Sequence, residues 1–366
     1  MLRSHLTPLG SVLAIAAIAA AACGGGAGTA TPAAITSPDA TTPAVTASPP
    51  AASPADTPVA SPAASVATGG VPLPGERIAF GVRAADGSSN IFSQLPDGSD
   101  LRQLTSGAGN HLCAAFSPDA TQIAYCADGS GAFEIWTMQA DGSKQAQLTK
   151  LGGRALFPDV SPDGARIAFA GTQGSDPNTE VYVVDAATGG GLVALTSCAG
   201  AKAGCANDYP AWSPDGKQLV FIHQDDIDAD EAGVNQQVWV MNADGSGAHA
   251  LTTGADPKDQ VPDWSPDGAS IAYASGTGDS EGIWVMDADG ATPRQISGCT
   301  AADAKPCAAG SDTGPAWSPD GTSIAFLRNF MASGVSDRPV FVMRADGTDQ
   351  RRLSPDLTLA AVPAWR

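Results

Sequence analysis

Short apolar runs alternate with polar turn residues along the chain from residue 73 to residue 366. A repeated block carries the pattern and reads Pro-x-Trp, Ser-Pro-Asp-Gly, Ile-Ala-Phe, Ile-Trp-Val-Met, Ala-Asp-Gly-Ser and Leu-Thr. The Ser-Pro-Asp elements begin at Ser117, Ser161, Ser213, Ser265 and Ser318. Each block holds four apolar runs of strand length and no useful run with a helical period. This pattern predicts four antiparallel strands per block, which we name a to d in chain order.

The ends of the repeat region predict how the strands are assembled. The first copy opens at strand b with Ile78-Ala79-Phe80, and the last segment, Val362–Arg366, copies only strand a. Asp-Gly pairs between the runs favour tight hairpins, because both residues tolerate a positive φ. Four-stranded units at this spacing are typical of propellers. We therefore expect an all-β, six-bladed β-propeller over residues 73–366, closed by the C-terminal strand.

The first 22 residues have the features of a signal peptide. Arg3 and His5 precede an apolar stretch from Leu9 to Ala22, which is too short to span a bilayer comfortably. The sequence Ala20-Ala21-Ala22-Cys23-Gly24 looks like a bacterial lipobox, although Ala20 stands where Leu is usual. We expect lipidation of Cys23. Ordinary signal cleavage, which would leave a free thiol, is the alternative.

Residues 23–72 consist of Cys23 followed by a segment rich in Ala, Pro, Thr and Ser. Such a segment cannot bury enough apolar surface to offset its chain entropy, so it predicts a disordered tether. As a random coil it would span on the order of 40 Å, and as extended polyproline II about 150 Å. The chain is therefore expected to be exported and anchored to the membrane by lipid, with the propeller facing the periplasm or the cell exterior.

The remaining six cysteines fall into three near pairs. Three local disulfides fit an oxidising compartment, whereas zinc ligation and free thiols are the alternatives. The spacing without a neighbouring His fits zinc poorly. The predicted pairs are Cys113 with Cys126, Cys198 with Cys205, and Cys299 with Cys307.

The formal net charge is −19. Such a surface disfavours nucleic acid and anionic lipid as partners. Eleven acidic residues, however, occupy repeated turn positions, where turn geometry and local hydrogen bonds explain them. The charge is therefore weak support for a cationic ligand.

Strand direction sorts the connections into two faces. The a–b and c–d turns share the uniform face, which carries the Ser-Pro-Asp-Gly and Ala-Asp-Gly turns. The b–c and d–a connections share the variable face, where length and composition differ between blades. Varied loops on a rigid scaffold usually carry binding sites. The connections that vary most are residues 127–133, 171–179, 197–209, 223–236, 298–314 and 328–339.

Candidate chemistry on the variable face is sparse. We expect binding residues among His111, Tyr209, His223 and Phe330. The carboxylates of Asp226, Asp228 and Asp230 could gather around Ca²⁺, but the segment lacks the Gly and Glu that an EF-hand loop places at positions six and twelve. A solvated acidic loop is the simpler interpretation, so no metal, cofactor or catalytic residue is predicted. All seven Trp occupy repeat positions, which leaves few rings for a carbohydrate groove.

The Trp-Ser-Pro-Asp-Gly repeat resembles that of the TolB-type six-bladed propellers, which carry WD40-like or PD40 repeats, over about residues 73–366. The resemblance implies the fold. The family includes scaffolding proteins, peptidase gating domains and a few lyases, so activity inferred from it would be an analogy.

The sequence favours a non-enzymatic scaffold, because it has variable loops on one face and no recognisable set of catalytic residues. We expect it to bind an envelope protein or peptide as a monomer. The alternative is a small-ligand or metal sensor, or a lyase-type propeller enzyme, with its site at the mouth of the channel.

Overall fold

A computed structural model gives the fold of this chain. The structure describes residues 65–66, 75–198, 204–225, 235–253, 258–276, 281–298, 311–329, 338–353, 357 and 359–366. These residues form six antiparallel sheets, and the first strands of neighbouring sheets contact each other around a closed ring. The predicted six-bladed all-β propeller is therefore confirmed. Among the described residues, no helix has the length and apolar content needed to cross a bilayer.

The first three blades contain the following strands. Blade 1 comprises β1 (Ser65–Val66), β2 (Ile78–Arg83), β3 (Ser89–Gln94) and β4 (Arg102–Gln103). Blade 2 comprises β5 (His111–Phe116), β6 (Gln122–Ala127), β7 (Glu134–Gln139) and β8 (Ala146–Gln147). Blade 3 comprises β9 (Arg154–Val160), β10 (Arg166–Thr172), β11 (Glu180–Asp185) and β12 (Val193–Ala194).

The last three blades and the closing strand follow the same plan. Blade 4 comprises β13 (Cys205–Trp212), β14 (Gln218–Asp225), β15 (Asn235–Asn242) and β16 (His249–Ala250). Blade 5 comprises β17 (Gln260–Trp264), β18 (Ser270–Ser275), β19 (Gly282–Asp287) and β20 (Arg294–Gln295). Blade 6 comprises β21 (Ser311–Trp317), β22 (Ser323–Asn329), β23 (Val340–Arg344) and β24 (Arg351–Arg352), and β25 (Leu359–Trp365) then returns to blade 1.

The C-terminal strand closes the ring as the repeat predicts. Strand β25 pairs with β2, with Ile78 opposite Trp365, and backbone bonds run in both directions between Arg77 and Arg366. One difference lies at the other edge of blade 1, where β1 pairs in parallel with β4. Ser65 and Val66 belong to the segment predicted to be disordered. The edge strand β4 has unpaired backbone groups that an extended chain can bond, which accounts for the pairing.

The Ser-Pro-Asp turns owe their acidic residue to local hydrogen bonds. In blade 4, the Ser213 hydroxyl and the Lys217 backbone N–H both donate to Asp215 Oδ1, at 2.8 and 3.0 Å. The Lys217 ammonium and these donors lower the pKa of Asp215 to about 2. Equivalent bonds recur at Asp119, Asp163, Asp267 and Asp320. These carboxylates stabilise turns, as the sequence indicates.

Apolar clusters fill the seams, by which we mean the contacts between neighbouring blades. Each seam includes a side chain from the end of strand a. Trp212 packs between blades 3 and 4 with Ala168 and Phe221, and Trp264 packs between blades 4 and 5 with Val220 and Tyr273. The seams therefore form the core of the molecule.

Candidate functional site

A chain of hydrogen bonds crosses the variable face between blades 3 and 4. Glu180, at the start of β11, accepts three bonds: from the Thr196 hydroxyl at 2.5 Å, from the Cys198 backbone N–H at 2.5 Å and from the Asn207 amide at 3.0 Å. These bonds join the end of blade 3 to the first strand of blade 4. The carboxylate thus holds the residues on both sides of the d–a connection.

His223 extends this chain of bonds along β14. Its Nδ1 lies 2.8 Å from Asn207 Oδ1, and its Nε2 lies 3.1 Å from Asp225 Oδ1. Its ring contacts that of Trp239, with centroids 4.6 Å apart. Since Asn207 donates its amide to Glu180, its oxygen faces His223 and requires an Nδ1–H donor. Both imidazole nitrogens therefore have hydrogen-bond partners, and His223 links Asn207 of β13 to Asp225 of β14.

The disulfide between Cys198 and Cys205 closes the loop beside this chain of bonds. The two Cα atoms are 5.5 Å apart, and the backbone N–H of Cys205 also donates to Asn178 Oδ1 at 3.1 Å. This is one of the three predicted pairs. The pair Cys299 and Cys307 lies outside the described residues.

Cys113 and Cys126 differ from the prediction, because both are buried free thiols. In the structure Leu112 pairs with Cys126, and Cys113 occupies a bulge with φ of 55°. The predicted disulfide between them is therefore absent. Burial raises the pKa of the Cys126 thiol well above its ordinary value.

The other predicted site residues do not converge with His223. His111 lies at the start of β5, with Nδ1 3.3 Å from the Ser89 carbonyl oxygen, and Tyr209 turns into the channel. Among the residues that the structure describes, no group of three or more His, Cys, Asp or Glu could hold a metal ion. The predictions for Cys23, Asp226, Asp228, Asp230 and Phe330 lie outside these residues.

The first strands of all six blades line a central cavity of about 360 Å³. It extends to the Ser-Pro-Asp turns and so opens at the uniform face. Its floor consists of side chains from the bulge position of strand a, where Phe157 and Tyr209 stack with centroids 3.9 Å apart. A smaller cavity of about 50 Å³ lies against Gln260, Thr313 and Arg338. The floor residues that line both cavities are Cys113, Phe157, Tyr209, Val261 and Val362.

Two carboxylates that the sequence reading missed face the larger cavity. Asp159 Oδ2 accepts the Trp212 backbone N–H at 2.7 Å, and Asp263 Oδ2 accepts that of Trp317 at 2.8 Å. Desolvation in the narrow channel raises the pKa of Asp159 to about 6 and that of Asp263 to about 7, while the nearby Arg366 opposes both shifts. The sequence does mark these two residues. At the next-to-last position of strand a, blades 3 and 5 have Asp, whereas the other blades have Ala115, Ala211, Ala316 and Ala364.

Further ionisable groups lie toward the variable face. Burial raises the pKa of Asp208 to about 6, and the Arg154 guanidinium opposes the shift. Burial likewise raises the pKa of Glu281 to about 7, with Arg338 opposing it. Partly desolvated carboxylates therefore occur both in the larger cavity and outside it.

The fold and this channel define a closed six-bladed propeller, and comparison with known proteins identifies its family. The family described as PD40, the TolB beta propeller domain, matches residues 72–224 and 156–312. The chain belongs to this TolB β-propeller family.

Individual relatives are more distant. TolB from Acinetobacter baumannii is 21% identical with a TM-score of 0.62, and the match covers 79% of this chain and 66% of that one. A putative TolB from Agrobacterium tumefaciens is 19% identical with a TM-score of 0.57, covering 78% of this chain and 92% of that one. These likenesses show the fold.

A curated relative is matched over a short segment. An uncharacterized peptidase, YuxL, from Bacillus subtilis (strain 168) is 26% identical over 116 residues. The match covers 31% of this chain and only 16% of that protein. This chain therefore spans less than a fifth of that relative.

Proposed function

We propose that this propeller is a non-enzymatic scaffold that binds a protein or peptide of the cell envelope through its variable face. The hydrogen-bonded chain from Thr196 through Glu180 and Asn207 to His223 carries the proposal. It ties Cys198 and Asn207, on either side of the disulfide-closed connection, to the second strand of blade 4, so that these residues are held in place before a partner binds. Binding to an ordered surface costs less conformational entropy.

The proposal is tested by capturing partners from an envelope extract with the wild-type protein and with variants. Replacing residues 199–204 and 226–234 by short Gly/Ser loops, which keeps β13, β14 and β15, should abolish capture. The matched control replaces the uniform-face turn at Asp244-Gly245 by Asn-Gly and should capture the same partners. If the loop variants, shown to be folded, recover unchanged partners, the variable face is not the binding surface.

Attachment to the membrane through lipid on Cys23 is a second part of the proposal. The apolar stretch ending at Ala22 and the lipobox-like residues before Cys23 support it. Mass spectrometry of the mature N-terminus should find Cys23 as the first residue with a diacylglyceryl mass. A mature N-terminus with unmodified Cys23 would refute this part and leave the binding proposal standing.

The channel carboxylates favour a second candidate function, a small-ligand or metal sensor or a lyase-type enzyme. Asp159 and Asp263 face a cavity of the size that small-molecule sites occupy. Metal analysis of the purified protein discriminates the two candidates. Stoichiometric Ca²⁺ or Mn²⁺ that is lost from the Asp159→Asn/Asp263→Asn double variant would favour the second candidate.

A further inference from the structure

One seam of the ring lacks the large aromatic side chain that the other seams contain. At the end of strand a, this position holds a Trp in four blades and a Phe in blade 2. Blade 3 has Val160 instead, packed against Ala124 of blade 2 and Ile167 of its own blade. The aromatic residues at the equivalent position are Phe116, Trp212, Trp264, Trp317 and Trp365.

The smaller side chain leaves a cleft between blades 2 and 3. Its volume is about 430 Å³, and it is open at the uniform face beside Pro118 and Pro162. Val160, Ile167 and Ala186 form apolar walls. This volume lies within the range of about 300–1,000 Å³ that is typical of ligand pockets. The cleft can therefore accept a ring of the kind that fills the other seams.

Two further positions differ from the repeat at this same cleft. In the neighbouring seam, the Arg166 guanidinium covers the Trp212 ring at 4.5 Å, whereas the equivalent Gln122 is exposed and lines the cleft. Thr137 lines the cleft where blades 3 to 6 have a buried Val. Its hydroxyl has no hydrogen-bond partner within the described part of the chain. An indole in the cleft would lie beside the side-chain amide of Gln122. Its N–H could donate a hydrogen bond to the Thr137 hydroxyl.

The rim of the cleft is acidic. Asp119 and Asp163 line it, and each is exposed. Hydrogen bonds from Ser117 and Ser161, respectively, lower the pKa of the two carboxyl groups, so both are ionised at neutral pH. A cationic side chain beside the entering ring would therefore be attracted to this rim.

We propose that this cleft binds the tryptophan side chain of a partner polypeptide in which Lys or Arg residues flank the Trp. The inference rests on the proposed function only in that the occupant is a polypeptide. It concerns the uniform face, whereas the proposed scaffold surface lies on the variable face. The indole of the partner would pack between blades 2 and 3 as the Trp212 ring packs between blades 3 and 4.

The test uses the full mature protein and the capped peptide Lys-Gly-Trp-Gly-Lys as the probe. Titration followed by NMR should shift the methyl resonances of Ala124, Val160 and Ile167. Val160→Trp fills the cleft in cis and should weaken binding by more than about tenfold, the usual effect of losing an aromatic anchor. Val160→Phe, the residue type that blade 2 tolerates, is a second variant in case Val160→Trp does not fold.

Control probes separate the contributions of ring and charge. The peptide with Ala in place of Trp should not bind, and free indole should shift the same methyl resonances more weakly than the Trp peptide. Three results would overturn the proposal. They are no binding of the Trp peptide by the wild-type protein, resonance shifts that map outside the cleft, and unchanged binding of the peptide by both Val160→Trp and Val160→Phe. Replacing residues 199–204, before β13, should leave the titration unchanged, so failure here is distinguishable from failure of the variable-face proposal.

Discussion

At the scale of single residues, the position of an aspartate in the blade decides the direction of its pKa shift. Asp215 sits in an exposed turn where donors hold its pKa at about 2, whereas burial raises the pKa of Asp263 to about 7. The first carboxylate stabilises the folded state when ionised. The second destabilises it when ionised, because the charge is desolvated in the channel.

We therefore expect opposite pH effects from these two positions. The pKa of Asp263 is raised on folding, so its stabilising contribution is complete below pH 4 and is lost as pH rises through about 7. Asp263→Asn keeps the acceptor for the Trp317 N–H and removes the charge. Its free energy of unfolding relative to wild type should rise by on the order of 1–2 kcal/mol between pH 5 and pH 8. Urea unfolding followed by tryptophan fluorescence measures this change.

Asp215→Asn is the matched control for that experiment. The lowered pKa of Asp215 gives a contribution that is lost only as pH falls below about 4 toward 2. Its difference from wild type should therefore be constant between pH 5 and pH 8. Equal pH dependence in both variants would contradict the assignment of the shift to the channel carboxylate.

At the scale of strands, much of the fold followed from the repeat, while the channel did not. Alternating apolar runs and Asp-Gly turns predict the four strands of each blade, and Val362–Arg366 predicts closure. The bulge at Cys113, where the register of β5 against β6 shifts by one residue, could not be read from the apolar pattern of strand a. The raised pKa values of Asp159 and Asp263 come from desolvation in a channel whose walls are strands of six different blades, and the repeat does not show which side chains meet there.

The seam residues give a prediction at this scale. Trp212 is only 5% exposed and contacts both blade 3 and blade 4. Trp212→Val should lower the free energy of unfolding by about 3 kcal/mol, through lost burial and the gap left behind. Urea unfolding followed by circular dichroism tests it. Trp284→Val is the control, and its free energy of unfolding should fall by less, since that ring is half-buried. An equal loss in both variants would show that the seam position contributes no more to stability than the half-buried one.

At the scale of the whole molecule, stability depends on closing the ring. Strand β25 supplies the fourth antiparallel strand of blade 1 and buries Trp365 between blades 6 and 1. Without it, β2 would expose its backbone groups and the apolar residues of that seam. Ring closure therefore joins the stability of the first blade to that of the last.

Removing residues 359–366 should accordingly prevent stable folding. The expected result is loss of the cooperative thermal transition and elution as aggregate in size-exclusion chromatography. Removing residues 1–64 is the control and should leave the transition temperature within about 2 °C of wild type, because these residues precede every described strand. A cooperative transition in the shortened C-terminal variant would contradict the role of β25.

The floor formed by Cys113, Phe157, Tyr209, Val261 and Val362 has a consequence for how deep a ligand could enter the channel. These side chains lie between the cavity of about 360 Å³ and the one of about 50 Å³ and line both. A ligand that enters from the uniform face would therefore end against the stacked rings of Phe157 and Tyr209. Replacing one of these rings by a smaller side chain would deepen the larger cavity toward the smaller one.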